Sequence, residues 1–285
     1  MDPSPKSLIL DLLSTVGRAS APVRALVSAG NLFGIAENSL RVALARLLAE
    51  GLIERDARGS YRIGPGAAAM NREIRAWRDV EQRLLPWSGA WVGLHLTGGE
   101  RLSTRIRRQR ERALRVLGFR RLSPGLELRP DNLAGGVEAV RDRLASLGLA
   151  NAGPVFRIES LDDDWEQIAR DLWESEALVE GYRSTQHQLE ESAARLRELP
   201  RAAAMAESFR LGGAAIRRVV LDPLLPEPIV PCAERRRLVT AMRRYDRLGR
   251  ELWKGWIGDE MLHDLPVGVR GPGAGAAALA VVEGS

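Results

Sequence analysis

Between residues 37 and 50 the apolar positions Leu40, Leu44, Leu47 and Leu48 recur at the spacing of one buried helical face, with polar residues between them. The pattern predicts a helix from Glu37 to Glu50, stopped by Gly51. Two helices are predicted ahead of it, Lys6–Val16 and Pro22–Ala29, and a connection through Gly30 and Gly34 joins them to the third. After it, Leu52–Arg55 and Ser60–Ile63 flank Asp56-Ala57-Arg58-Gly59, a turn sequence that predicts a hairpin. Tyr61 and Ile63, two apart, would face the helices. Helix, turn, helix and hairpin in this order predict a winged helix-turn-helix. A recognition helix would then carry Asn38, Ser39, Arg41 and Arg46 toward base edges, and the wing would carry Arg55, Arg58 and Arg62 toward phosphates or the minor groove.

Gly64-Pro65-Gly66 closes this first domain (residues 1–66), and a linking helix is expected over Ala67–Arg83, within residues 67–86. The next segment reads strand (Ala90–Leu96), helix (Ser103–Leu117), two strands (Phe119–Leu122 and Leu126–Arg129) about Ser123-Pro124-Gly125, a second helix buried through Val137, Val140, Leu144 and Leu147, and a strand (Val155–Ile158). That βαββαβ order predicts a ferredoxin-like domain over residues 87–160. Residues 161–258 predict a C-terminal helical domain. It opens at Asp162, Asp163 and Asp164, which suit a helix start, and its first buried face would be Trp165, Ile168 and Leu172. A helix is expected over Leu178–Leu199, then shorter pieces to Val220, and a last helix over Ala233–Trp256. Between them Leu221 to Pro231 holds four prolines, which excludes a helix and predicts an extended strap across the helical domain. Residues 259–285, glycine- and alanine-rich at the end, are expected to be a flexible tail. The fold class is therefore α+β.

Composition adds limits. A 45% hydrophobic content is that of an ordinary globular protein, and the N-terminal residues lack the basic and apolar regions of a signal peptide. No membrane span is expected, and the expected compartment is the cytoplasm. One cysteine, Cys232, leaves no internal disulfide and no cysteine-cluster zinc site. The net charge is only +5, because 37 carboxylates nearly balance 42 bases, so distribution matters more than total. Residues 101–121 hold Arg101, Arg105, Arg107, Arg108, Arg110, Arg112, Arg115, Arg120 and Arg121 against Glu111 alone.

Candidate chemistry is sparse. His95, His187 and His263 stand far apart, Gly271–Gly275 lacks the strand and helix of a phosphate-binding loop, and Asp162–Asp164 suit a cap better than a metal site. No activated nucleophile, metal site or cofactor is predicted.

Three motifs in order carry a resemblance: Leu40-Arg41-Val42-Ala43-Leu44-Ala45-Arg46-Leu47 with Gly51-Leu52, then Trp87-Ser88-Gly89-Ala90-Trp91, then Asp222-Pro223-Leu224-Leu225-Pro226. With them the chain resembles the PaaX-like transcriptional regulators, the phenylacetic-acid degradation repressors, over residues 6 to 258. The resemblance implies a cytoplasmic homodimeric repressor that holds double-stranded operator DNA upstream of aromatic-acid catabolic genes and releases it when phenylacetyl-CoA or another acyl-CoA binds. Arg41 and Arg46 match the family's recognition-helix pattern. Where the family has a tryptophan-containing turn after the strap, this chain has Cys232-Ala233-Glu234, which implies a changed effector surface. A different effector is thus an alternative. So is a ferredoxin-fold metal-dependent nuclease, although the first strand ends Gly93-Leu94-His95-Leu96 without the carboxylate such an enzyme needs.

Overall fold

The structure, a computed structural model, describes residues 2–16, 20–56, 59–96 and 103–261. The sequence expectations for Arg58, Arg101, His263 and nearly all of the tail fall outside them. The fold is α+β. Contacts divide the chain into a first unit of residues up to Trp77, Thr185–Arg218 and Val239 onward, and a second of Arg78–Ser184 and Val219–Leu238.

In the first unit α1 (Pro5–Val16), α2 (Val23–Asn31) and α3 (Glu37–Ala49) precede a hairpin of β1 (Ile53–Arg55) and β2 (Tyr61–Ile63). Ser4 caps α1, its Oγ accepting from Ser7 N at 3.1 Å, with Pro5 in the first turn where its missing amide costs nothing. The core is Leu8, Ile9, Leu13, Leu26, Leu40, Leu44, Leu47 and Ile53. On α3 the buried stripe is Leu40, Ala43, Leu44 and Leu47, with Leu48 only half-buried at its edge. Helix α4 (Pro65–Arg75) follows the hairpin. The expected linking helix does not continue to Arg83: residues Ala76–Arg83 tighten to a 3-10 helix kinked at Asp79 (φ −112°). Trp77 and Val80, both buried, recur at the three-residue repeat of that helix.

The second unit is built on a four-stranded antiparallel sheet. Strand β3 (Trp91–His95) pairs with β5 (Leu126–Pro130) on one side and β6 (Val155–Ile158) on the other, and β5 carries the outer β4 (Arg120–Ser123). Helices α5 (Thr104–Val116) and α6 (Gly136–Ser146) complete a βαββαβ order. They bury Ala113, Leu114, Val140 and Leu144. Helix α7 (Asp163–Arg170) departs from expectation. Trp165 and Ile168 are 45% and 46% exposed, whereas Ala169 and the following Trp173 are buried, Trp173 stacking on Trp91 at 6.2 Å. An eight-residue helix offers too few turns for periodicity to tell its inner face from its outer one. Asp162 also makes no side-chain cap, so the acids there act only through charge.

Helices α8 (Ser175–Arg195), α9 (Arg201–Val220) and α10 (Cys232–Met261) complete the described residues. The shorter pieces expected before Val220 are one helix, α9. Its Gly212 is tolerated because a ring fills the space beside it, Tyr245 lying 3.8 Å from where a Cβ would sit.

The proline strap seats both on the sheet side, at Asn132, and on the first turn of α10, where Arg235 donates to Leu225 O at 2.8 Å. Leu225 is wholly buried, and Asn132, after β5, donates to Leu224 O at 2.7 Å. Arg129, also buried, donates to Leu117 O and, at 3.2 Å, to Asn132 Oδ1, and burial lowers its pKa to about 9. Leu224 sits at φ 55°, a strained conformation for a side chain of its size, held by a 2.7 Å bond from its amide to Asp222 Oδ1. The buried Asp222 carboxyl and the buried Tyr182 hydroxyl act on each other, and burial raises the pKa of both. At Asp222 the rise is partly offset by Arg235. For such a carboxyl, stability is full below the unfolded pKa of about 3.9 and falls as pH rises, until the raised native value is passed. Asp222→Asn keeps an oxygen for Leu224 N and removes the ionisation. Urea unfolding at about pH 5 and about pH 8 should show wild type losing more stability than the variant over that interval.

Candidate nucleic-acid interface

The first unit presents α3 on a rigid base. Gly30, in the last turn of α2, lets α3 approach: a Cβ there would lie 2.2 Å from Leu40 Cδ1, and Leu40 is fully buried. The chain then turns through Phe33 N to Gly30 O (3.0 Å) and Ile35 N to Gly30 O (3.0 Å), with Gly34 at φ 66°. Helix α3 ends in a left-handed Gly51 (φ 67°), with Leu52 N reaching back to Leu47 O at 3.0 Å. Phe33, within the turn, meets Phe209 of α9 at 5.1 Å between ring centres and carries the Arg210 guanidinium 5.3 Å from its own ring centre. These contacts hold the angle at which α3 leaves α2.

The exposed side of α3 has low relief. Asn38, Val42, Ala45 and Ala49 form a solvent-facing row. Val42 is 42% exposed. Helical spacing places Arg41 on one flank of the row and Arg46 on the other, with Ser39 exposed near the helix start. Arg41 pairs with Glu37 one turn earlier (2.6 Å), and both are well exposed, so the pair is weak and exchangeable. Arg46 has no carboxylate partner among the described residues. Small residues between two guanidinium groups let a helix axis come close to a groove floor while the arginines reach its walls. Val42 and Ala45 are the contribution that charge-based reading missed; their exposure on an otherwise well-packed helix is the only signal.

The hairpin stands beside this surface. Ile53 faces Ile63, Glu54 faces Arg62 and Arg55 faces Tyr61. Tyr61 is buried and Ile63 half-buried, as alternation requires. Arg62 is exposed and paired across the strands with Glu54 at 2.6 Å, and Arg55 is exposed near the tip, where Gly59 takes φ 80°. A third strand segment was not legible: Ala21 bonds to Tyr61 in both directions, at 2.7 and 2.8 Å. One residue of pairing before Pro22 is too short to leave a pattern.

The PaaX-like protein family model matches residues 4–64, the stretch that carries α1 to β2. The module is PaaX-like. Over a longer span, the chain is similar in fold to a solved structure, the uncharacterized protein Rv0674 from Mycobacterium tuberculosis. The TM-score is 0.53 at 24% identity, and the match covers 87% of this chain and 99% of that one. No curated protein matches. Among the described residues no group of three His, Cys, Asp or Glu could hold a metal, and no helix is long and apolar enough to cross a membrane.

The Gly30 contact gives a test within the PaaX-like module. Helix propensity alone would favour Gly30→Ala by about 1 kcal/mol. The displacement of Leu40 should outweigh it, lowering stability by about 1–3 kcal/mol in urea unfolding. A neutral or stabilising result would show that α2 and α3 separate freely.

Proposed function

We propose that the protein is a DNA-binding transcriptional regulator whose PaaX-like module is a winged helix-turn-helix. The observation that carries this reading is the exposed face of α3, a small-residue row flanked by Arg41 and Arg46, on a helix whose opposite face is fully buried. A major groove admits such a helix, bidentate guanidinium contacts read guanine, and Val42 and Ala45 suit a thymine methyl. Arg55 and Arg62 of the wing meet phosphates, the role the sequence also gives to Arg58. The βαββαβ order with its antiparallel sheet supports a ferredoxin-like second domain.

The finer reading follows the family. The protein represses aromatic-acid catabolic genes as a cytoplasmic homodimer and is released by phenylacetyl-CoA or another acyl-CoA. The exposed Trp165 and Ile168 favour a surface that a second copy covers. Release requires an effector that binds the DNA-incompetent arrangement more tightly. Within the first unit the lever would be α9. Any shift of Phe209 and Arg210 moves Phe33, and with it the angle of α3.

Fluorescence anisotropy on DNA selected by the protein, and on a shuffled duplex, tests the roles separately. Arg46→Ala should weaken binding to the selected site by about 1–3 kcal/mol and relax sequence preference. Arg55→Ala should weaken binding to both duplexes alike and flatten the plot of log K against log salt by about 0.9. Equal binding by wild type and both variants would remove the assignment.

A further inference from the structure

Helix α5 of the second unit carries an array of charge that the PaaX-like module does not account for. Arg108, Arg112 and Arg115 follow at intervals of four and three and therefore share one face, about 10 Å long, with neighbours about 6 Å apart. Arg108 and Arg115 are exposed and Arg112 half-exposed. The opposite face is anchored: Ala113, Leu114 and Leu117 are buried, and Gln109 donates to Leu147 O at 3.1 Å.

Elsewhere in this unit surface arginines sit against carboxylates, as in Arg141 with Glu138, Arg170 with Glu166 at 2.8 Å and Arg183 with Glu234 at 3.2 Å. Among the described residues Arg108, Arg112 and Arg115 have no such partner, although Glu111 lies on the same helix. Arg120, just beyond the helix, has its pKa lowered first by burial and then by the charge of Arg115, so the like charges crowd. Repelling cations at these spacings weaken a helix, and an anion laid along them removes the cost.

We propose that the arginine face of α5 is a second, sequence-independent contact for the phosphates of duplex DNA. The inference rests on the reading of the protein as a DNA binder. The shape of the array selects this occupant. It is linear and lies on the outer face of a helix, where a small phosphate ligand would gain little from exposed guanidiniums in water. A polyanion gains at each site by releasing condensed counterions, and needs no enclosing pocket. The surface adds affinity and no sequence preference.

The test compares the full-length wild type with the triple variant R108Q/R112Q/R115Q, on its selected DNA and on a shuffled duplex, across a salt series. The side chains are wholly or half exposed, so circular dichroism should be unchanged, and melting should hold or rise slightly as the like charges are removed. The salt slope should flatten by about 2 to 3, with the ratio of selected to shuffled affinity preserved. The triple lysine variant should restore the slope, and Arg183→Gln, a paired arginine of the same unit, should leave it alone. An unchanged slope in the folded triple variant overturns the inference and leaves the regulator reading intact. So does an equal effect of Arg183→Gln. A variant that keeps its slope but loses binding of coenzyme A, measured by calorimetry, would assign the face to a small phosphate ligand instead. Failure of the wild type to bind any duplex would overturn both readings.

Discussion

The close approach of α2 and α3 at Gly30 and Leu40 is the constraint on which the exposed face of α3 depends. A buried leucine stripe would pack α3 against many surfaces. The missing Cβ at Gly30 fixes where along α2 it packs, and Gly34 and Gly51 then allow the chain to enter and leave α3 sharply. Only with its inner face fully committed does α3 present a fixed outer face. The same logic explains the hairpin, whose buried Tyr61 bonds to Ala21 and leaves Arg55 and Arg62 outside.

If the protein acts as the proposed regulator, that geometry must also be able to change. Phe33 stands in the turn itself and is held from α9 by an aromatic contact and a cation over its ring, interactions of about 1 kcal/mol each. Contacts of that size hold a turn and can still be shifted by a ligand with modest preference between states. Helix α9 ends at Val220, and the chain then enters the strap. There the backbone is pinned by Asn132 and Asp222 and strained at Leu224.

Much of this was legible in the sequence. The three N-terminal helices, the hairpin and all four strands of the sheet lie within a residue or two of the expected bounds, because long amphipathic runs and glycine or proline stops act locally. The rest needed tertiary information. Nothing in Trp165 and Ile168 signals exposure, since an apolar residue at helical spacing is usually inside. The strap's seat depends on Asn132 and Arg129, far away in sequence. The Gly212-Gly213 pair looks like a break until Tyr245 is seen beside it. On the recognition surface the charged residues were visible, but the pairing of Arg41 with Glu37 and the small-residue row between the two arginines were not.

Reading of duplex DNA by α3 can be measured on a mixture of sequences. Its most direct test is to incubate the intact protein with sheared genomic DNA, recover the bound fragments and sequence them. Enrichment of a short motif is expected, present as two half-sites whose centres are separated by a multiple of about 10.5 base pairs. Recovered fragments indistinguishable from the input pool, under salt conditions where the protein does bind DNA, would contradict it.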